Sequence, residues 1–309
     1  MAGKDNQKVT ITLSQKNICV SLLFILILAS CRSAPEIPYT ALAETGGIPL
    51  ESGASVYILA DVKEARPIID ILPIQELKNR QTRQMLDRTN FCAAALFPEE
   101  SNRRFQLVAW GDYPNSGAAM AFGMNRNWKK QRSPAGYPWW YSRTDRLSIA
   151  LNPRQAFVSA SSDNAPGDPV TTAPGVEIPE GFGEFRRGAP FSCWLDDPGL
   201  IINRMLNNGE LPVNLPAEKL FIVLFPAEEG QYEAMVRLQF ESASLARGMA
   251  AIFTLAGSFV SLESGQNPLI FMLLFANPPV QSGRNLDIKT AVLSEDEIVQ
   301  LLGLFPFFK

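Results

Sequence analysis

No histidine occurs anywhere in this chain of 309 residues, and that absence removes most familiar reaction centres at once. Ser-His-Asp and Cys-His relays, HExxH metal sites and proton shuttles working near neutral pH all need an imidazole. A four-thiolate zinc site would require all four cysteines, and of these Cys19 lies within the N-terminal leader and Cys31 directly after it. No Gly-x-x-x-x-Gly-Lys-Ser/Thr loop and no Gly-x-Ser-x-Gly turn occurs, and Gly181-Phe182-Gly183 lacks the third glycine and the preceding strand of a dinucleotide fingerprint. Carboxylates remain, because glycoside cleavage needs only two acidic side chains about a bond. Asp61, Asp196 and Asp197 at strand ends, and Glu99, Glu100, Glu228 and Glu229 at turns, are the candidates. Each also has a structural use: aspartate ahead of a helix caps exposed amides, and glutamate suits a solvated turn. With no Asp-x-Asp-x-Asp-Gly calcium loop either, the chain reads as a non-enzyme without metal site or cofactor. A hydrolase using carboxylates on glycan or peptide substrates is the alternative.

Aromatic side chains are the second source of chemistry, since rings bind sugars and peptides by stacking. Tyr137-Pro138-Trp139-Trp140-Tyr141 is the densest cluster. On a strand Trp139 and Tyr141 face one side and Trp140 the other, so at least one ring either forms a binding surface or is covered by another part of the chain. Just before it, Arg126, Lys129, Lys130 and Arg132 would suit an anionic partner or a solvated loop. Cys92 and Cys193 lie in apolar strand-like runs, where they could pair as a disulfide or remain as free buried thiols.

The elements that must position these groups fall into two comparable series. Gly53 to Asp61 aligns with Gly188 to Asp196, each a strand ending in aspartate. A helix follows in each: residues 68–86 in the first, Ile201 to Leu206 in the second. Leu96-Phe97-Pro98-Glu99-Glu100 then recurs as Leu224-Phe225-Pro226-Ala227-Glu228-Glu229, between an apolar run and an alternating strand, Arg104 to Trp110 and Tyr232 to Phe240. Small-residue helices come next, Ser116 to Met124 and Ser244 to Leu255. Strands Tyr137 to Arg143 and Leu147 to Leu151 end the first half, and Pro268 to Phe275 and Leu286 to Thr290 the second. The order strand, helix, hairpin, helix, strand predicts an α+β fold: a tandem duplication of a ferredoxin-like βαββαβ unit, with antiparallel sheets and helices on one face. Whether the halves share one sheet is open. A last helix from Ser294 to Leu304 opens on Glu295, Asp296 and Glu297, which suits its dipole.

Residues 1–30 have the three parts of a secretory signal: Lys4, Lys8 and Lys16, an apolar run from Ile18 to Leu28, and small residues before Cys31. The run is too short to span a bilayer. Leu28-Ala29-Ser30-Cys31 resembles the lipobox of bacterial lipoproteins, which implies cleavage before Cys31 and covalent lipid on its sulfur and amine. Two or more acyl chains would hold the protein at a membrane, so membrane lipid is the first expected partner. Arg32 is not the aspartate that resembles an inner-membrane retention signal in some bacteria, and this favours the outer membrane. The formal net charge of −3 becomes more negative once the leader is removed, which argues against nucleic acid. At 46% hydrophobic residues the chain has the material for a sizeable core.

The expected organisation is a signal peptide 1–30, a lipidated tether 31–50 rich in Pro and Gly, a first α+β repeat 51–158, a Ser/Pro/Gly-rich linker 159–186, and a second repeat with the C-terminal helix 187–309. The expected function is that of an exported, lipid-anchored envelope protein with a non-catalytic binding or assembly role, its partner an envelope protein or cell-wall component. Peptide capture by strand addition to an open sheet edge is a further alternative.

Overall fold

The computed structural model describes residues 47–71, 83, 86–97, 104–113, 120, 122–133, 136, 138–142, 144, 146–152, 155–160, 175–199, 216–228, 230–260 and 277–304. Cys31 and its leader, the helix read at Ile201 to Leu206 and the strand read at Pro268 to Phe275 lie outside them.

Twelve strands form one sheet: β1 Val56–Asp61, β2 Thr89–Phe97, β3 Arg104–Gly111, β4 Trp128–Arg132, β5 Pro138–Ser142, β6 Leu147–Asn152, β7 Gln155–Ala160, β8 Phe191–Asp196, β9 Ala217–Pro226, β10 Gln231–Phe240, β11 Val280–Ser282 and β12 Asn285–Ser294. Their order across the sheet is β11-β12-β10-β9-β8-β1-β2-β3-β7-β6-β5-β4. Among the described residues the helices are α1 Arg66–Ile71, α2 Phe182–Phe185, α3 Ala243–Val260 and α4 Glu295–Leu304, with further helical residues at 83, 86, 120, 122–124 and 198–199. The fold is therefore mixed, mostly antiparallel sheet with few helices.

The pairing departs from the ferredoxin-like unit read from the sequence. In a split βαβ unit the two strands flanking the first helix run parallel with another strand between them, whereas β1 and β2, which flank α1, are direct antiparallel neighbours here. The reason lies at the centre. β1 uses one edge for β2 and the other for β8, so each half's first strand pairs with its counterpart in the other half. That seam is centred on Ile58↔Cys193, the two positions that coincide when Gly53–Asp61 is laid on Gly188–Asp196. Outward from the seam the registers agree: Val56↔Leu96 corresponds to Phe191↔Leu224, and Asp61↔Phe91 to Asp196↔Lys219.

Alternation along the strands gives the sheet two apolar faces. One row runs Ile58, Ala94, Leu107, Val158, Ile149 and Trp140 across adjacent strands. On this side α3 packs Ala246, Met249, Ala250 and Phe253 against Leu195, Leu238 and Ile288, and Phe122 packs on Trp140 and Ile149. α1 and α4 cover its end through Ile68, Tyr232, Leu293 and Ile298. This is the helical side.

The opposite face carries Tyr57, Leu59, Val108, Trp139, Trp194 and Phe221 and is the largest core. Its cover comes from segments that read as spacer. Ile48 and Leu50, from the end of the expected tether, are fully buried, and Ile48 bridges Val176 from the expected linker. α2 follows in that linker, with Phe182 edge-on to Trp194 and Phe221 at 4.9 and 5.2 Å. The glycines of both segments serve a close approach: a Cβ on Gly175 would stand 2.7 Å from the Ile48 carbonyl oxygen. Helices are thus concentrated on one side, but the other is covered too.

Candidate functional site

Trp139, Trp140 and Tyr141 sit on β5 and are all buried, at 6%, 3% and 2% exposure. Of the two alternatives the sequence leaves for this cluster, a binding surface or cover by another part of the chain, the burial speaks for the second. Trp139 and Tyr141 belong to the core under Ile48 and Phe182, and Trp140 stacks on Phe122 at 4.9 Å, with Trp128 edge-on to the same ring at 4.8 Å. Because both faces of the strand are covered, neither side leaves a ring in solvent. Among the described residues no acceptor meets the indole N–H groups of Trp128, Trp139 and Trp140.

Cys92 and Cys193 are free. They pair with Ala60 and Ile58 respectively, so β1 lies between them. Two strand spacings amount to roughly 9–10 Å, beyond the Cα separation a disulfide spans. The expected candidate disulfide is therefore corrected. Burial pushes each thiol up to about 12, which makes both poor nucleophiles.

The acidic candidates are drawn into local structure. Asp61 accepts from the Glu64 amide through Oδ1 at 3.3 Å and from the Ala65 amide through its carbonyl at 2.7 Å, closing the turn into α1. Asp196 accepts from Lys219 Nζ at 2.5 Å on the neighbouring strand. Asp197 takes a left-handed backbone, φ 53°, and its amide donates to the Glu218 carbonyl. The Glu228 carbonyl accepts from the Gln231 amide in the β9–β10 turn, while Glu99, Glu100 and Glu229 lie outside the described residues. Among the described residues no group of three or more acidic or cysteine side chains is placed to hold a metal ion.

Strand addition has little to work with. Among the described residues one edge is β11, of three residues, and the other is β4, whose Lys129, Lys130 and Arg132 are exposed. Short, charged edges discourage pairing with another chain. The sequence of β4 suits an anionic partner or a solvated loop and shows no strand, because a basic run around one Trp lacks apolar alternation.

The surface that the sequence reading missed lies on the helical side. α3 turns Ala246, Met249, Ala250 and Phe253 inward, and a second stripe, Leu245, Ile252 and Leu255, faces solvent, with Ile252 57% and Leu255 61% exposed. Met120 and Met124 are exposed beside Phe122 on the same side. The available signal was charge: over its eighteen residues α3 carries Arg247 alone, where an ordinary surface helix would have a polar outer face. No described helix is long and apolar enough to cross a membrane.

A lipobox-like leader is joined to one antiparallel sheet, with helices gathered on one side and apolar side chains left outside them. Residues 49–166 match the family described as the outer membrane-associated lipoprotein TP0453. The match spans less than half of the chain and supports assignment to the lipoproteins. The fold is that of TP0453: crystal form IV superposes with a TM-score of 0.57 at 18% identity, covering 84% of this chain and 98% of that one. Crystal form III gives 0.56 at 16% identity, covering 88% and 98%. No sequence among the curated proteins matches the chain. The family's description agrees with the lipid-anchored envelope localisation, outer membrane over inner, implied by the leader.

Proposed function

We propose that the mature chain, acylated on Cys31, lies with the helical side of its sheet against the membrane that holds its anchor and serves there in binding or assembly, without catalysis. The observation that carries this reading is the outward stripe of α3, Leu245, Ile252 and Leu255, with Met120 and Met124 on the same side. Large apolar side chains grouped in solvent mark a contact surface, and an amphipathic helix lying in the headgroup region buries such side chains without spanning. The tether starts at the anchor, so the acyl chains would keep the domain within reach of the bilayer and raise the effective concentration of that weak contact. The shared registers about the β1–β8 seam further support an origin by duplication, with repeats 51–158 and 187–309.

The test is flotation with phosphatidylcholine vesicles, using mature chain with Cys31→Ser so that no acyl group contributes. The wild-type surface is expected to float with the vesicles, and Leu245→Ser/Ile252→Ser/Leu255→Ser to stay behind with its circular dichroism unchanged. Equal flotation of the two, or none for either, would reject the helical side as a membrane contact.

A further inference from the structure

Six described cations spread over the sheet and its flanks are held by carboxylates: Arg66 by Asp70 and Asp87, Arg104 by Glu51, Lys219 by Asp196, Arg237 by Asp287, Arg284 by Glu180, and Lys289 by Glu233. The β4 edge is built differently. Arg126, Lys129, Lys130 and Arg132 are all exposed, none has an ion pair among the described residues, and they fall within seven consecutive residues of a net acidic chain. Lys130 shares its face with Trp140 and so points to the helical side, as does Arg132 two residues on. Lys129 lies on the other face, at the rim, where its stem can carry the ammonium around the edge. Directly before this run stand Met120 and Met124, exposed and attached to the helical side through Phe122.

Apolar side chains next to unneutralised cations, on the side proposed to meet the membrane, form the pattern of an interfacial contact with acidic lipid. We infer that Arg126, Lys129, Lys130 and Arg132 dock the free edge of the sheet on the anionic phosphate headgroups of a bilayer, an inference that rests on the membrane-apposed reading above. Lysine on an edge strand also discourages edge-to-edge pairing, but that role asks for no adjacent methionines. Attraction to phosphate asks for positive charge, and each Lys or Arg near an anionic surface adds to it within a Debye length. The two helical contacts and the basic edge would then set the tilt of the sheet on the membrane.

The experiment compares mature Cys31→Ser chain, R126Q/K129Q/K130Q/R132Q and the charge-preserving K129R/K130R on vesicles of phosphatidylcholine alone and mixed with phosphatidylglycerol, at low and high salt. The wild-type surface and K129R/K130R are expected to bind the mixed vesicles at least about tenfold more tightly than the neutral ones, with the difference vanishing in high salt. The glutamine variant should lose that difference while keeping the binding to neutral vesicles that α3 provides. If it binds mixed vesicles as wild type does, the basic edge serves only to keep the sheet unpaired and the inference is overturned. If no chain binds either vesicle, the membrane-apposed reading itself fails, an outcome distinct from the first. Retention of the native melting curve by the glutamine variant separates lost docking from lost folding.

Discussion

The thiols of Cys92 and Cys193 are held at about 12 because burial removes the water that would stabilise a thiolate, and Asp61 adds like charge near Cys92. Their folded-state values lie above the ordinary value of 9.0, so the stability this contributes is fully present below pH 9 and is lost as pH rises from there toward 12. Urea midpoints measured across that range should fall less steeply in Cys92→Ala/Cys193→Ala than in wild type. The native protein should also leave both thiols unmodified by a disulfide reagent at pH 8 and expose them on unfolding. At Trp140 the ring carries packing rather than ligand binding: Trp140→Ala should cost about 3–5 kcal/mol, read as a shifted denaturation midpoint, because Phe122, which packs between Trp140 and Trp128, loses the ring it stacks on. Which of these roles a tryptophan has was not legible in its type or spacing. Alternation told which side each ring faces, but not that residues remote in sequence cover both sides.

Elements were most legible where a local signal was sufficient. α4 begins one residue after Ser294, whose hydroxyl accepts from the Glu297 amide while Glu297 takes the Ser294 amide at 2.7 Å, a reciprocal cap written in Ser-x-x-Glu. Ser294→Ala should therefore lower stability by about 1 kcal/mol in thermal melts. The continuous apolar run from Phe91 to Leu96 and the alternating runs Arg104 to Trp110 and Tyr232 to Phe240 likewise fall within β2, β3 and β10. Spacer composition misled at two places. Gly47 and Gly175 read as freedom from structure, but they let two backbones meet at Ile48 and Val176, and Phe182 two turns later is core. Gly175→Ala is expected to destabilise the protein by about 1–3 kcal/mol, since the obstructing atoms are main chain and cannot swing aside. A denaturation midpoint equal to wild type would show that the bridge gives way cheaply.

For the molecule as a whole, the seam between β1 and β8 decides whether the halves are independent. Each would leave a central strand edge unpaired if separated, and the first would also lose α2 from its core. A chain cut between residues 160 and 175 should accordingly stay associated through size-exclusion chromatography, and either fragment expressed alone should aggregate or fail to fold. Independent, monomeric halves would mean that the continuous sheet contributes little to folding.

From sequence alone came the leader that resembles a lipobox, the lack of imidazole chemistry, and the sheet-rich halves with their matching order, because cleavage signals, composition and apolar period are properties of a chain read locally. Tertiary structure decided that the halves share one sheet, that the tryptophans are core, that the cysteines stand two strands apart, and that apolar side chains lie outside α3 while bare cations line β4. Those outcomes depend on which remote segment comes to rest against each face and edge. Burial and pairing are set by that neighbour, and no window along the sequence contains it.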